Sequence, residues 1–448
     1  MTRLERNTPA PPVRAVHLGL GSFFRSHQAW YTGHAADAGA WGIAAFSGRR
    51  PDLADALAAQ GGLYTLVTRA ADGDRHEVVR SVARAHAATD TDAWLTLLAS
   101  PEVAVLTTTV TEAGYVRGAD GGLDVTPAVA RDLAALRDAR GAVTTAPARI
   151  VAGLLARRRA DAGPMTLVPC DNLPDNGAVL ARVVREFAER VDPGLVRWMD
   201  EHVAVATTMV DRITPEPTAA DRAGVLAATG VDDRCPVVTE PFSEWVIAGT
   251  FAAGRPAWET AGAVLTDDVL PFERRKLWLL NGAHSLLAYV GSLRGWTSVD
   301  EAVADERCAA LVRDWWATAA GYLSQDAAEL DAYCAALRDR FANPRLKHGL
   351  AQIAADGSQK LPVRLLPVLR LERAAGRMPG SVVGVLAAWV LHLRGEGAPV
   401  KDVRAEELVP LATGPLGEAV PRLLAALDPA LADDAALVAA VRDRAMNR

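Results

Sequence analysis

Lys276, Asn281 and His284 lie in the stretch KLWLLNGAHSLLAYVG, residues 276–291, which is otherwise almost wholly apolar. A buried ammonium is costly unless paired, and burial lowers its pKa. An amine that sheds its proton near neutral pH is a general base. On a regular helix, Asn281 lies about 140° and His284 about 80° from Lys276, within one broad arc. Asn281 and His284 are three apart and adjacent, and Glu273 stands three residues before Lys276. The spacing predicts a core helix with one reactive side. The competing reading makes His284 a satisfied core residue and Lys276 with Glu273 a surface pair.

Lysine usage bears on the choice. Lys and Arg total 48, yet Lys occurs only as Lys276, Lys347, Lys360 and Lys401. Where a proton must leave at working pH, Arg cannot serve and Lys can. Of the four, Lys276 is the one set in a long apolar run.

Two further clusters follow apolar strand patterns. In VPCDNLPDNG, residues 168–177, Asp171 and Asn172 stand where α/β sheets place ligands; helix capping is the plainer reading for Asp175 and Asn176. In TTMVDRITP, residues 207–215, Asp211 and Arg212 follow another strand, and the plainer reading is a turn pair. The sequence has no HExxH and no paired CxxC, so no metal site is expected.

These residues need elements to hold them. Gly19-Leu20-Gly21-Ser22-Phe23-Phe24 is a GxGxx turn between an apolar strand and a helical pattern. Two glycines permit a tight turn and close approach of backbone to a pyrophosphate, and the first helical N–H groups favour an anion. The third glycine of the fingerprint is replaced by Phe24. A structural turn competes with a cofactor loop, and the position in the first βα unit favours the loop. After the second strand, Trp41 to Gly48, comes Arg49 rather than a carboxylate. An Arg near this point could hold a 2′-phosphate, and Asp52 lies slightly late for a ribose 2′-OH, so these residues do not decide between NAD and NADP; NAD is expected and NADP stays open.

Up to about residue 250, strand and helix patterns alternate, which argues a mostly parallel sheet. A hairpin is expected at Asp72-Gly73, and two amphipathic helices across residues 125–163. Beyond VLPFERR strand signals nearly vanish and helical patterns take over. The expected fold is α/β: a Rossmann-type dinucleotide-binding domain over 1–260 and a mainly α-helical substrate and catalytic domain over 261–448.

With 448 residues, 50% hydrophobic and 23% charged, the chain is globular in composition and long enough for two cores. A net charge of −6 gives no sign of a nucleic-acid or membrane-surface partner. The four Cys suggest no disulfide framework. The opening MTRLERNTPAPPVRA lacks a signal-peptide core, and the longest apolar run, residues 381–393, is too short to span a bilayer. A cytoplasmic location is expected.

The blocks HLGLGSFFRSHQAWYT, TVTEAGY, CDNLPDNG, TTMVDRITP, EPFSEWVI, AGRPAWE, KLWLLNGAHSLLAYVG and DGSQKLPVRLLP occur collinearly from residue 16 to about 367. Together they resemble the polyol-specific long-chain dehydrogenase/reductase family, that of mannitol 2-dehydrogenases and fructuronate reductases. The resemblance implies a Rossmann-type domain, a helical domain, an active site between them, and metal-free hydride transfer between a sugar alcohol and a nicotinamide. It implies that Lys276 is the general base, that Asn172 and Asn281 polarise the carbonyl, that His284 binds substrate and that Glu273 relays the proton. Asp211 is implied as a substrate ligand. Gly19, Gly21, Ser22, Phe23, Arg49, Thr111 and Glu112 fall on the cofactor side. Phe24 stands where members often carry His.

The expected reaction is interconversion of a polyol and a ketose of mannitol/fructose type. A ketouronate or aldonate is the second substrate class, for which Lys360 and Arg364 (with Arg345) would meet the carboxylate. A silent NAD-binding sensor is the reading from another class.

Overall fold

The apolar runs that read as the central strands are buried on both faces, as strands of a parallel sheet covered on each side are. In the computed structural model, which describes residues 2–118, 120–138 and 142–447, six strands form one sheet. In chain order they are Val13–Leu18, Gly42–Phe46, Val82–His86, Val105–Thr108, Met165–Pro169 and Val203–Val205. All neighbours are parallel, with Val16 opposite Ala44 and Leu106, and Leu106 opposite Leu167. The spatial order is third, second, first, fourth, fifth, sixth. The order reverses between the first and fourth strands, and such a reversal leaves a crevice at the carboxyl ends.

Side chains alternate along each strand. Val16, Leu18, Leu106 and Leu167 pack on one face with Trp94, Leu154 and Val184. Ala15, Ala45, Val105 and Val168 pack on the other with Tyr31, Trp245 and Trp258. Each fully buried Val or Leu contributes roughly 1.5–3 kcal/mol relative to exposure.

A second sheet pairs Thr207–Asp211 antiparallel with Glu244–Ala248, which pairs in parallel with Val264–Thr266. The hairpin is present: Tyr64–Ala70 pairs with Gly73–Val79, and Gly73 adopts φ 151° at the turn. The expected amphipathic helices are Pro127–Arg137 and Ala146–Arg159; residues 139–141 of that stretch lie outside the described residues. The helical pattern after Ser22 is broken in two. Ser22–Ser26 ends at His27, whose φ of −121° and ψ of −90° are not helical, and Gln28–His34 resumes. The buried His27 ring reaches the Glu244 carbonyl at 3.0 Å, so a distant strand end fixes the break.

The chain divides into two units, Met1–Leu270 and Pro271–Arg448. In the second, Gly380–Leu393 is apolar all round and buried from Ser381 to Leu393, the mark of a central core helix. Glu306–Ala320, Ala327–Phe341 and Ala435–Met446 are further helices of this unit. Among the described residues no helix is long and apolar enough to cross a membrane.

Candidate active site

The glycine turn is fixed from two sides. The Gly19 and Leu20 N–H groups both donate to the Phe46 carbonyl, at 3.0 and 2.9 Å, and Thr109 Oγ1 donates to the Gly19 carbonyl at 2.8 Å. Gly19 has φ 115°, and a Cβ there would lie 2.2 Å from the Thr109 carbonyl oxygen. Gly21 differs: its φ is −149°, and a Cβ would meet nothing nearer than the Gly19 carbonyl at 3.5 Å. The fold therefore demands Gly19, whereas Gly21 leaves an open cradle. Ser22 and Phe23 begin the helix beyond it, both half-buried.

Phe24, at the missing third glycine, stacks on the buried His17 ring at 3.7 Å. His17 Nδ1 pairs with Thr107 Oγ1 at 2.8 Å and Nε2 with Thr109 Oγ1 at 3.1 Å. Burial drives this imidazole down to about 3, so it is neutral. A stacked ring pair thus joins helix to strand where a third glycine would have allowed bare backbone contact.

The other expected cofactor residues follow neighbouring strand ends. Arg49 is exposed three residues past Phe46, and Thr111 and Glu112 are exposed just past Thr108. Glu112 lies 3.5 Å from Arg117. Asn172 is exposed three residues past Pro169. Gly19, Gly21, Arg49, Thr111, Glu112 and Asn172 are thereby brought together along the carboxyl edge of four adjacent strands.

Asp171, beside Asn172, is buried and accepts from Tyr115 Oη, the Val110 N–H and, at 3.0 Å, Thr108 Oγ1. Burial pushes its carboxyl up to about 6 against the pull of those donors. It ties the loop carrying Thr111 to the loop carrying Asn172, which makes it a structural hub; neither spacing nor pattern signals this. The expected Asp175/Asn176 cap is absent. Asp175 sits at φ 49° with no side-chain cap bond. Asn176 is a buried clamp whose amide donates to the Asp171 and Thr208 carbonyls and accepts the Thr208 N–H.

Asp211 is buried at the end of its strand, opposite Glu244. Arg212 turns inward to the Ser26 and Glu240 carbonyls and over Trp30. It is a clamp between segments, not a partner confined to its turn.

In the second unit the Lys276 helix departs from regular winding. Leu270–Arg275, which includes Glu273, is α-helical, but Lys276–Gly282 and Leu287–Gly291 are π-helical. In π winding each N–H reaches the carbonyl five residues back. Asn281 therefore sits one turn beyond Lys276 on the same side, not about 140° away as a regular helix requires. Both are half-buried. π turns are rare and concentrate at functional sites.

His284 is buried, packing on Phe341 at 4.8 Å and on His348 at 5.1 Å. Burial first, then His348, Arg340 and Arg364, holds its imidazole well below the usual range. Its Nε2 has no hydrogen-bond partner among the described residues. Arg364 reaches this helix, donating to the Asn281 carbonyl at 3.4 Å and Ser285 Oγ at 3.1 Å, and burial brings it down to about 10. Lys360, one turn earlier, donates to the Ile353 carbonyl at 3.2 Å, and burial lowers its pKa. The second unit thus gathers Lys276, Asn281, His284, Arg364 and Lys360. His348 and Arg340, distant in sequence and without a motif, escape sequence reasoning.

Among the described residues no three His, Cys, Asp or Glu side chains are placed to hold a metal ion. A hollow of about 350 Å³ beside Ile247, Phe251, Arg255 and Asp267 contains none of the expected site residues.

Comparison with known proteins places both units in one family. Residues 13–260 match the mannitol dehydrogenase Rossmann domain, and residues 268–444 the mannitol dehydrogenase C-terminal domain. The chain is 40% identical over 403 residues to D-arabinitol 4-dehydrogenase of Ralstonia nicotianae, covering 88% of this chain and 85% of that protein. It is 37% identical over 393 residues to D-mannonate oxidoreductase of Escherichia coli, covering 85% and 80%. The structure of Pseudomonas fluorescens mannitol 2-dehydrogenase in ternary complex with NAD and D-mannitol superposes with a TM-score of 0.80 at 33% identity, covering 98% of this chain and 92% of that one.

Proposed function

This chain belongs to the mannitol dehydrogenase family of NAD-dependent oxidoreductases, and we propose that it interconverts a sugar alcohol and its ketose without a metal, with Lys276 as general acid and base. The observation that carries the reading is the π turn that sets Lys276 and Asn281 on one side of a core helix, near a buried neutral imidazole with an unpartnered nitrogen.

The glycine turn fits a dinucleotide. Gly21 leaves room that any side chain would fill, and the first-turn N–H groups beyond it suit a pyrophosphate. NAD, when bound, supplies the acceptor for the hydrogen leaving the carbinol carbon. Gly19, Gly21, Ser22, Phe23, Arg49, Thr111 and Glu112 are the residues assigned to hold it.

Lys276 takes the hydroxyl proton as the alcohol is oxidised and returns it in reduction. Asn281 donates an amide N–H to the oxygen as negative charge develops, and Asn172 is assigned the same role. His284, kept neutral, offers Nε2 to a substrate hydroxyl. Asp211 accepts from another hydroxyl, and Glu273 passes the Lys276 proton to water.

A second reading, an aldonate and ketouronate substrate, is favoured by one observation. Lys360 and Arg364 stand one helical turn apart, Arg364 against the Asn281 turn, and both donate to backbone carbonyls, with no ion pair to either among the described residues. A carboxylate would complete them.

NADH formation measured over mannitol, arabinitol, sorbitol, mannonate and altronate, with EDTA present, tests both readings and the absence of a metal. Lys276→Ala and Lys276→Arg should each abolish turnover, because neither side chain can cycle a proton near neutral pH. Normal turnover in Lys276→Ala would remove the assigned base, and NAD binding without turnover of any substrate would leave a sensor.

A further inference from the structure

A seven-residue π stretch does not hold itself. Its hydrogen bonds are stretched to an unusual register, and such segments persist where something outside the helix supports them. Here the support is visible. Trp315 Nε1 donates to the Trp278 carbonyl at 2.8 Å, and Trp316 Nε1 donates to the Leu279 carbonyl at 2.9 Å. Both acceptors lie inside the stretch Lys276–Gly282, and both indoles come from the helix Glu306–Ala320.

Gly282 makes the approach possible. Its backbone is ordinary helix, φ −62° and ψ −49°, so no special conformation calls for glycine. A Cβ there would lie 2.7 Å from Trp315 Nε1 and within 2.9 Å of two ring carbons. Glycine inside a helix costs about 1 kcal/mol relative to alanine. The seat of the Trp315 ring accounts for its presence.

Trp316 reaches a second group. Its ring stacks at 6.1 Å on Phe341, which packs at 4.8 Å on His284. One pair of adjacent indoles therefore touches the winding that relates Lys276 to Asn281 and, through one ring, the neighbouring imidazole.

We propose that Trp315 and Trp316 are positioning residues: their indole N–H groups hold the π turn and thereby keep Lys276 and Asn281 on one face. The proposal rests on the reading of Lys276 as the general base. A buried tryptophan needs some acceptor in any case. What a packing role leaves unexplained is that two adjacent indoles take successive carbonyls of one underwound turn, with a glycine opening at the same place. Without the donors the segment can tighten to regular winding, which swings Asn281 to about 140° from Lys276.

Trp315→Phe and Trp316→Phe, singly, keep an aromatic ring and remove the donor. Gly282→Ala displaces the ring and should act like Trp315→Phe. Trp389→Phe, which removes another fully buried indole from the helix Gly380–Leu393, serves as the control for lost packing. The readouts on the full-length protein are Tm, NADH Kd by calorimetry, kcat and KM against pH, and amide-hydrogen exchange over residues 276–282. In the Trp315 and Trp316 variants kcat should fall about tenfold or more. Their NADH Kd should stay within about twofold of wild type, the pH inflection of kcat should move, and exchange over 276–282 should rise. Trp389→Phe should lose Tm with kcat and its pH profile kept.

Unchanged kcat, pH profile and 276–282 exchange in either folded Trp315 or Trp316 variant, whatever the Tm, overturns the proposal. Should Trp315→Phe not fold, Trp316→Phe decides alone. Normal turnover in Lys276→Ala refutes the functional reading instead, while the exchange result still reports on the clamp.

Discussion

Gly19 and Gly21 are alike in sequence, yet the structure assigns them opposite consequences on substitution by alanine. At Gly19 an L side chain meets a backbone held at φ 115° and a Cβ placed 2.2 Å from the Thr109 carbonyl oxygen and 2.9 Å from Thr109 Oγ1. The backbone strain costs about 1–3 kcal/mol, and forcing an atom into packed surroundings costs a similar amount. The sum, about 2–6 kcal/mol, corresponds to a fall in Tm of roughly 5–20 °C for a unit of this size. At Gly21 φ is −149° and the nearest atom to a Cβ is 3.5 Å away, so neither cost arises. Gly21→Ala should keep its Tm, since a surface change of this kind stays within about 0.5 kcal/mol. The added methyl would instead occupy the cradle assigned to the pyrophosphate and raise the NADH Kd about tenfold or more, which is about 1.4 kcal/mol. Differential scanning calorimetry and isothermal titration with NADH separate the two effects. A Gly21→Ala protein that binds NADH like wild type would reduce the turn to a structural feature. An undiminished Tm in Gly19→Ala would mean that the contact with Thr109 is not as described.

Two further outcomes follow from particular groups. His17 is buried and neutral, with its pKa depressed from 6.5 to about 3, so the unfolded chain takes up a proton first as pH falls. The stability it contributes is present above about pH 6.5 and is lost toward pH 3, at up to about 1.4 kcal/mol per pH unit. His17→Gln should flatten the pH dependence of denaturation between about pH 6 and pH 4 by that slope, as urea titrations at stepped pH would register; a parallel curve would show that His17 is not the group responsible. Arg364→Gln removes the cation beside the Asn281 turn. It should raise KM for an aldonate about tenfold or more while leaving a polyol nearly unaffected, and equal effects on both would count against the carboxylate reading.

What was readable in the chain and what was not divide along physical lines. The sheet strands announced themselves because burial on both faces leaves continuous apolar runs such as Gly42–Phe46 and the VAVL of residues 103–106. The hairpin at Asp72-Gly73 was legible because its turn chemistry is local. The break at His27 was not, since the ring that marks it is bound by a carbonyl 217 residues away, and a helical period carries no trace of that contact. Nor was the π winding, because a template of fixed period assigns each residue its angle in advance.

Lys276, Asn281 and His284 stood out as polar groups in apolar surroundings, a contrast that needs no neighbours to be seen. The indoles that bond their helix lie on the buried face of an amphipathic helix, 37 positions away, and look like every other buried side chain until the carbonyls they meet are known. Groups that do chemistry are therefore legible by contrast with their context, whereas groups that position them share the composition of the core. A residue such as Gly282 is the exception: an unexplained glycine in a helix is a visible cost, and it points to the ring that must sit against it.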